Sequence, residues 1–192
     1  MYDMNLYEKY IFIERYSLNL NSQLTNLNKV NIIYLPETNQ FNFKEIKKIY
    51  FFCKKKKFKL FIVDNFKLSV RVKADGIYIL ATKKNPIHLK FYKKNFAVIG
   101  SAHNQSEYFF KTIQNCSKVF LSPIFYNKKY THNNILGVLK FNLISQYWRA
   151  KICALGGVNL NNFNKIKMTR ATSVAFITLI KKGIIKKPTY YF

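Results

Sequence analysis

Eight short, almost wholly apolar runs recur along this chain, with room for about one helix between most neighbours. They are Tyr10–Ile13, Ile32–Leu35, Leu60–Val63, Gly76–Leu80, Phe96–Ile99, Val119–Leu121, Ile152–Leu155 and Val174–Leu179. A strand apolar on both faces must be covered on both, which is the signature of a parallel sheet flanked by helices. Helical spacing lies between the runs, at Phe43, Ile46, Ile49, Tyr50 and Cys53, and at Tyr108, Phe109, Thr112 and Ile113. Asn104 to Glu107 and Asn159 to Asn161 supply helix starts just after strands. Strand, polar turn and helix repeated eight times predict a closed eight-stranded parallel β/α (TIM) barrel, with a doubly wound open sheet as the alternative. Dividing 192 residues by eight leaves 24 per unit, against roughly 31 in a typical barrel, so the barrel is compact. The last segment, Lys181–Phe192, contains Gly183 and Pro188 and is too short for a full closing helix. No Pro/Gly/Ser linker divides the chain, and one domain over residues 1–192 is expected.

The chain is strongly basic: 33 Lys+Arg against 8 Asp+Glu give a formal net charge of +25. Such an excess raises nucleic acid or an anionic membrane as a partner. The cations are 29 Lys and 4 Arg beside 21 Asn, a bias that AT-rich codons produce without selection for a polyanion. Nucleic-acid surfaces favour Arg for bidentate contacts, so nucleic acid is disfavoured as a partner. Cys53, Cys116 and Cys153 form no CxxC pair and read as buried thiols rather than zinc ligands or disulfides. No apolar run approaches membrane-spanning length, and the start carries acids instead of a secretory core. A cytoplasmic protein without a membrane partner is expected, its oligomeric state left open.

In a β/α barrel the chemistry sits in loops after the strand ends. Gly156-Gly157 follows the seventh run, where tandem glycine lets backbone amides approach a phosphate, the competing reading being a tight turn. Thr178 ends the eighth run and has a hydroxyl to add, or simply fills space there. Ser122–Phe125 open a polar loop that contains Lys128, Lys129, Tyr130 and His132, suited to closing over an anion or to being a solvated tip. Asp64 ends the third run and is either a Mg²⁺ or polar-substrate ligand or a helix cap. Asp75 precedes the fourth run, on the stabilising face. His103 ends the fifth run as the best-placed histidine, while no Ser-His-Asp or Cys-His arrangement emerges. Most cations, Lys9 and Lys118 among them, precede strands on the stabilising face, whereas Lys83, Lys84, Lys128, Lys129, Lys181 and Lys182 follow strands.

These positions in this order resemble the thiamine-phosphate synthase family and its relative, the thiazole tautomerase. The resemblance runs from about Ile32 to Ile180 through Leu60–Asn65, Ala74-Asp75-Gly76, Ser101-Ala102-His103, Ser122–Phe125, Leu136-Gly137, Gly156-Gly157 and Val174–Ile180. Its most specific feature is the ungapped spacing from Ser122 to Gly137. The resemblance implies a β/α barrel that joins a pyrimidine methyl diphosphate to a thiazole phosphate, releasing Mg²⁺-bound pyrophosphate. It implies that Gly156, Gly157 and Thr178 hold the thiazole phosphate, that Asp64 is a Mg²⁺ ligand, and that Ser101 approaches the pyrophosphate. Lys129 joins Ser101 as a candidate catalytic residue, with Lys83, Lys84 and Lys128 as further anion-binding candidates. Small phosphorylated substrates are the implied partners.

The sequence also departs from that family. Where the family carries Gln-x-Arg-x-Lys after its second strand, this chain has Ile33-Tyr34-Leu35-Pro36-Glu37. Val63 replaces the Asn before Asp64, and Thr82-Lys83-Lys84 stand where a second metal carboxylate belongs. Asn127-Lys128-Lys129-Tyr130 replace Thr-x-Thr-Lys. The expectation is a preserved scaffold and phosphate cup, with altered diphosphate and metal binding. The alternative to coupling is a phosphate-binding or tautomerase-like relative.

Overall fold

The computed structural model describes residues 6–17, 20–24, 27–36, 41–86, 95–126 and 135–176. Its strands are β1 (Glu8–Ile13), β2 (Val30–Tyr34), β3 (Lys59–Val63), β4 (Gly76–Ile79), β5 (Ala97–Ala102), β6 (Lys118–Leu121), β7 (Lys151–Leu155) and β8 (Ser173–Phe176). They pair in parallel in sequence order, and β8 returns to β1, closing the barrel. The helices are α1 (Leu20–Leu24), α2 (Phe43–Lys56), α3 (Phe66–Arg71), α4 (Gln105–Ile113), α5 (Gly137–Ser145) and α6 (Phe163–Ile166). All eight apolar runs contain strand, and closure excludes the open sheet. The expected shortened end, Lys181–Phe192, lies outside the described residues.

Alternation along the strands separates two kinds of core. Inside the barrel, Tyr10, Phe12, Phe61, Tyr78 and Phe120 meet as one aromatic cluster. The Phe120 ring lies 4.9 Å from Tyr10 and 5.0 Å from Tyr78, both edge-on. Small residues make the space: Cys153 and Ala175 face the same interior. At Gly76 an added Cβ would collide with the Phe61 ring and the Ala97 carbonyl. Outside the strands, two apolar layers cover the sheet. One joins β1 to β3 with α1 and α2, and the other runs from β4 to β8.

The amino-terminal end of the barrel is closed by polar side chains. The buried Lys118 ammonium pairs with the Glu8 carboxylate and lies 4.8 Å from the Tyr10 ring centre. Glu8 also accepts from Tyr10 Oη at 3.0 Å and Asn31 Nδ2 at 2.8 Å. Lys9, fully buried, donates to the carbonyls of Tyr7 and Asn28 at 3.0 and 2.9 Å. Lys9 and Lys118 do lie at the strand starts as expected, but they are buried, which corrects any reading of them as bland surface charges; their stems cross apolar ground to reach these partners. Burial pushes the Glu8 carboxyl up, but the Lys118 hydrogen bond and charge, with the Asn31 and Tyr10 hydrogen bonds, push it down and prevail. An acid whose folded pKa is depressed contributes stability above its unfolded pKa and loses it as pH falls through the folded value. Acid unfolding should therefore steepen below about pH 4.5 in the native chain. The Glu8→Gln variant should lose that share of the slope in pH-dependent melting.

Beside this closure a cavity of about 720 Å³ opens among Leu24, Leu27, Phe58, Lys29, Lys57 and Lys59. It lies at the end opposite the loops that carry the candidate site. The three cysteines are buried and unpaired, and burial pushes each thiol up to about 12, so they are inert packing groups as expected. No described helix is long and apolar enough to cross a membrane.

Candidate active site at the carboxyl ends of the strands

Asp64 follows β3 in the left-handed region, at φ 48°, where Asp is tolerated because its short side chain bonds locally. Its N–H donates to the Tyr78 carbonyl at 2.9 Å, and its Oδ1 accepts from Leu80 N–H at 3.0 Å. Asp64 thus laces the end of β3 to the end of β4. Capping of α3 falls to Asn65, whose Oδ1 accepts from Leu68 N–H at 3.0 Å. Burial pushes the Asp64 carboxyl above its ordinary value, although the Leu80 hydrogen bond and the charges of Lys83 and Lys111 pull the other way.

The loop after β4 is held from behind by two side chains that the sequence patterning did not single out. Lys111 of α4 is fully buried, and its ammonium donates to the carbonyls of Leu80 and Lys83 at 2.8 and 2.9 Å. Its third donor reaches Gln114 Oε1 at 2.9 Å. Gln114 Nε2 in turn donates to the carbonyls of Lys83 and Asn85 at 2.9 and 2.8 Å. The apolar spacing had placed Phe109 and Ile113 inward; they are 60% and 46% exposed instead. The inner face of α4 carries Tyr108 and Lys111, because the loop carbonyls demand a donor there. No one-dimensional signal marks Lys111, since lysine is read as surface unless a buried acceptor set is known.

On β5, Ser101 is 5% exposed at the top of the strand, paired in register with Phe120 of β6. His103 donates its backbone N–H to Glu107 Oε2 at 2.6 Å. Its Nδ1 lies 2.7 Å from the Ser122 carbonyl, which requires a proton on Nδ1 and ties the β5 loop to the β6 loop. The β6 loop is pinched at its base, where Leu136 and Gly137 N–H donate to the carbonyls of Pro123 and Ile124 at 3.0 and 2.9 Å. That neck joins the two ends of the segment from Ser122 to Gly137. Lys128, Lys129 and His132 belong to residues 127–134, and Thr178, Lys181 and Lys182 to residues 177–192, all outside the described residues.

Gly156 and Gly157 have φ of 91° and 71°. The Gly156 carbonyl accepts from Phe125 N–H at 3.0 Å, and the Gly157 carbonyl accepts from Asn162 Nδ2 at 2.8 Å. Asn159 Oδ1 accepts from the N–H groups of Asn161 and Asn162 at 2.9 and 3.1 Å. The helix expected from Asn159 therefore begins later, at Phe163, because these asparagines brace the glycine turn first. Lys84 lies with its ammonium 5.3 Å from the Phe110 ring centre, while the side chain of Lys83 is exposed.

These residues do not fit a resident Mg²⁺. Among the described residues no group of three or more His, Cys, Asp or Glu converges on one point. Glu45 and Glu107, at the same end of the barrel, are committed to Tyr16 and Tyr34 and to His103. One Asp64 oxygen is taken by Leu80, and two lysine charges act on the carboxylate where a hard dication needs oxygen donors.

The chain is 30% identical over 138 residues to the thiamine-phosphate synthase of Prochlorococcus marinus, covering 71% of this chain and 40% of that protein. It is 28% identical over 129 residues to that of Flavobacterium psychrophilum, covering 64% of this chain and 63% of that one. The matched segment thus spans less than two thirds of the length of either relative. In fold it is similar to the thiamine phosphate pyrophosphorylase from Pyrococcus furiosus, with a TM-score of 0.70 at 15% identity over 91% of this chain and 87% of that one. The family model for thiamine monophosphate synthase matches residues 16–180, which take in the laced Asp64, the β6 neck and the glycine turn, and the chain belongs to that family.

Proposed function

We propose that this protein acts in thiamine synthesis, holding a thiazole phosphate at the loops after β7 and β8 and joining it to a pyrimidine methyl diphosphate. Family and fold support a thiamine-biosynthetic role. The observation that carries the site is the direction of the peptides in the glycine turn. A trans peptide points its C=O and the following N–H to opposite sides. With the Gly156 carbonyl on Phe125 and the Gly157 carbonyl on Asn162, the N–H groups of Gly157 and Val158 point away from those partners. Such paired amides suit a phosphate, and Thr178 would add its hydroxyl.

In the coupling, the thiazole nitrogen forms a bond to the pyrimidine methylene carbon as the bond from that carbon to the diphosphate oxygen breaks. The electron pair leaves with pyrophosphate. No nucleophilic side chain is needed; the demand is for positive charge around the leaving group. Lys83 and Lys84, in the loop after β4, would supply cations, the sequence offers Lys128 and Lys129 as further ones, and Ser101 would contribute a hydroxyl. Mg²⁺ is implied by kinship, but the donor set at Asp64 does not fit it.

Calorimetry with thiazole phosphate, followed by incubation with both substrates, tests the reading. Binding is expected, weakened about tenfold by Thr178→Val through loss of one hydrogen bond to a charged group, and thiamine phosphate should accumulate. Binding without product at high protein concentration would leave a phosphate-binding or tautomerase-like relative, a reading favoured by the altered metal position. No binding at all would overturn the site assignment.

A further inference from the structure

We propose that the loop after β4 is a lysine clamp for phosphate, in which Lys83, positioned by the buried pair Lys111 and Gln114, takes the ligand's anionic charge without a divalent cation. The proposal rests on the reading that the barrel mouth receives a phosphorylated substrate.

Burying Lys111 is costly. A buried ammonium needs all three donors satisfied, and they are, by two carbonyls and one amide oxygen. None of these acceptors is charged, and the salt bridges among the described residues are Lys54–Asp75 and Lys118–Glu8, so no carboxylate neutralises Lys111 at contact distance. Neutral acceptors repay the burial of a charge only in part. A neutral donor would satisfy the same carbonyls without that cost, so carbonyl satisfaction alone does not explain a lysine. The fold also makes room for it: the stem lies against Gly100, where an added Cβ would stand 3.0 Å from Lys111 Cδ.

What the cation does is fix a loop and raise the positive potential at its tip. Lys111 and Gln114 hold the carbonyls of Leu80, Lys83 and Asn85 from the α4 side, while Asp64 holds Leu80 N–H from the β3 side. Lys84 is drawn onto Phe110. Lys83 is left with its backbone fixed and its side chain exposed, close enough to Asp64 for its charge to act on that carboxylate. An exposed ammonium on a fixed backbone suits an anion site. Lys83 is the positively charged counterpart of a metal ion at that place, with Asp64 serving as loop staple rather than metal ligand.

Titration calorimetry of the full chain with inorganic pyrophosphate, in EDTA and again in excess Mg²⁺, tests this directly. Binding is expected in EDTA, with Kd changed less than about twofold by Mg²⁺. Lys83→Ala, exposed and harmless to folding, should weaken binding about tenfold, the scale of one charge-assisted hydrogen bond. Lys83→Arg should retain binding, and Lys111→Met, read only in protein that melts as a folded chain, should weaken it; a folded Lys111→Met with unchanged Kd would overturn the positioning role. Asp64→Asn keeps the acceptor for Leu80 N–H and removes a negative charge, so binding should hold or tighten; a metal-bridged site predicts the opposite sign. Lys57→Ala, at the other end of the barrel, should leave Kd unchanged. Binding only with Mg²⁺, loss of binding in Asp64→Asn, an unaffected Lys83→Ala, or equal losses in Lys83→Ala and Lys57→Ala would each overturn the clamp. Thiazole phosphate is a separate ligand for the β7 and β8 loops, so its binding stands or falls independently of the pyrophosphate result.

Discussion

Phe120→Ala should lower stability by about 3–5 kcal/mol, the usual cost of emptying a large buried aromatic site. At this chain length that corresponds to a fall in Tm of roughly 6–20 °C. Phe120 is wholly buried at the centre of the barrel interior, with ring contacts to Tyr10, Phe12 and Tyr78. The surrounding strands are hydrogen-bonded on both sides in a closed ring, so they have little freedom to collapse into the space. Phe109→Ala is the matched control, because that ring is 60% exposed on α4 and contributes little to the core. A shift within about 0.5 kcal/mol is the surface expectation for it. Thermal denaturation of the two variants side by side reads the difference, and equal melting would show that the interior aromatics do not dominate stability.

The second large effect is expected at the glycine turn. Gly157→Ala should cost about 2–5 kcal/mol, combining left-handed backbone strain with overpacking. An added Cβ would run into the backbone of Phe125 and Tyr126, atoms that cannot rotate away as a side chain would. Gly137 also has positive φ, at 62°, but nothing within 4 Å of an added Cβ. Gly137→Ala should therefore pay only the strain, about 1–2 kcal/mol. The gap between the two variants in denaturant unfolding measures the loop contact alone, and a Gly157→Ala loss no greater than that of Gly137→Ala would remove the close approach from the account. One practical result follows for binding studies. Any Gly157 variant disturbs the β6 loop first, so its loss of ligand affinity does not identify a phosphate contact.

The barrel was legible because its strands are apolar on both faces, a pattern no surface helix produces. The parts that were harder to read are those where polarity and burial part company. β1 and β6 begin earlier than their apolar runs, at Glu8 and Lys118, because Lys9 and Lys118 stay in the ladder with their ammonium groups on internal acceptors. β5 continues through Gly100, Ser101 and Ala102, where Gly100 admits the stem of Lys111 and Ser101 is buried near the strand end. Asp64 was recognisable as a rim residue, but both of its sequence readings, ligand and cap, missed the hydrogen bonds across to β4. The barrel order does make β3 and β4 neighbours, but which backbone groups Asp64 meets across them depends on the stagger of the two strands and on its left-handed backbone, neither of which is marked in the chain. Lys111 is the extreme case, since its acceptors are carbonyls about thirty positions away in sequence.

The two outer apolar layers meet at the boundary between β3 and β4, and there the ladder is short, with Phe61, Ile62 and Val63 paired to Gly76, Ile77 and Tyr78. Asp64 crosses this boundary at one end through Tyr78 and Leu80, and Asp75 crosses it at the other through two bonds with Leu60. A chain with so few acids thus spends two of them as stitches along one seam. The outer cover of the cylinder is in mechanical terms two unequal shells, and at this one of their two boundaries aspartates add stitches to the ladder.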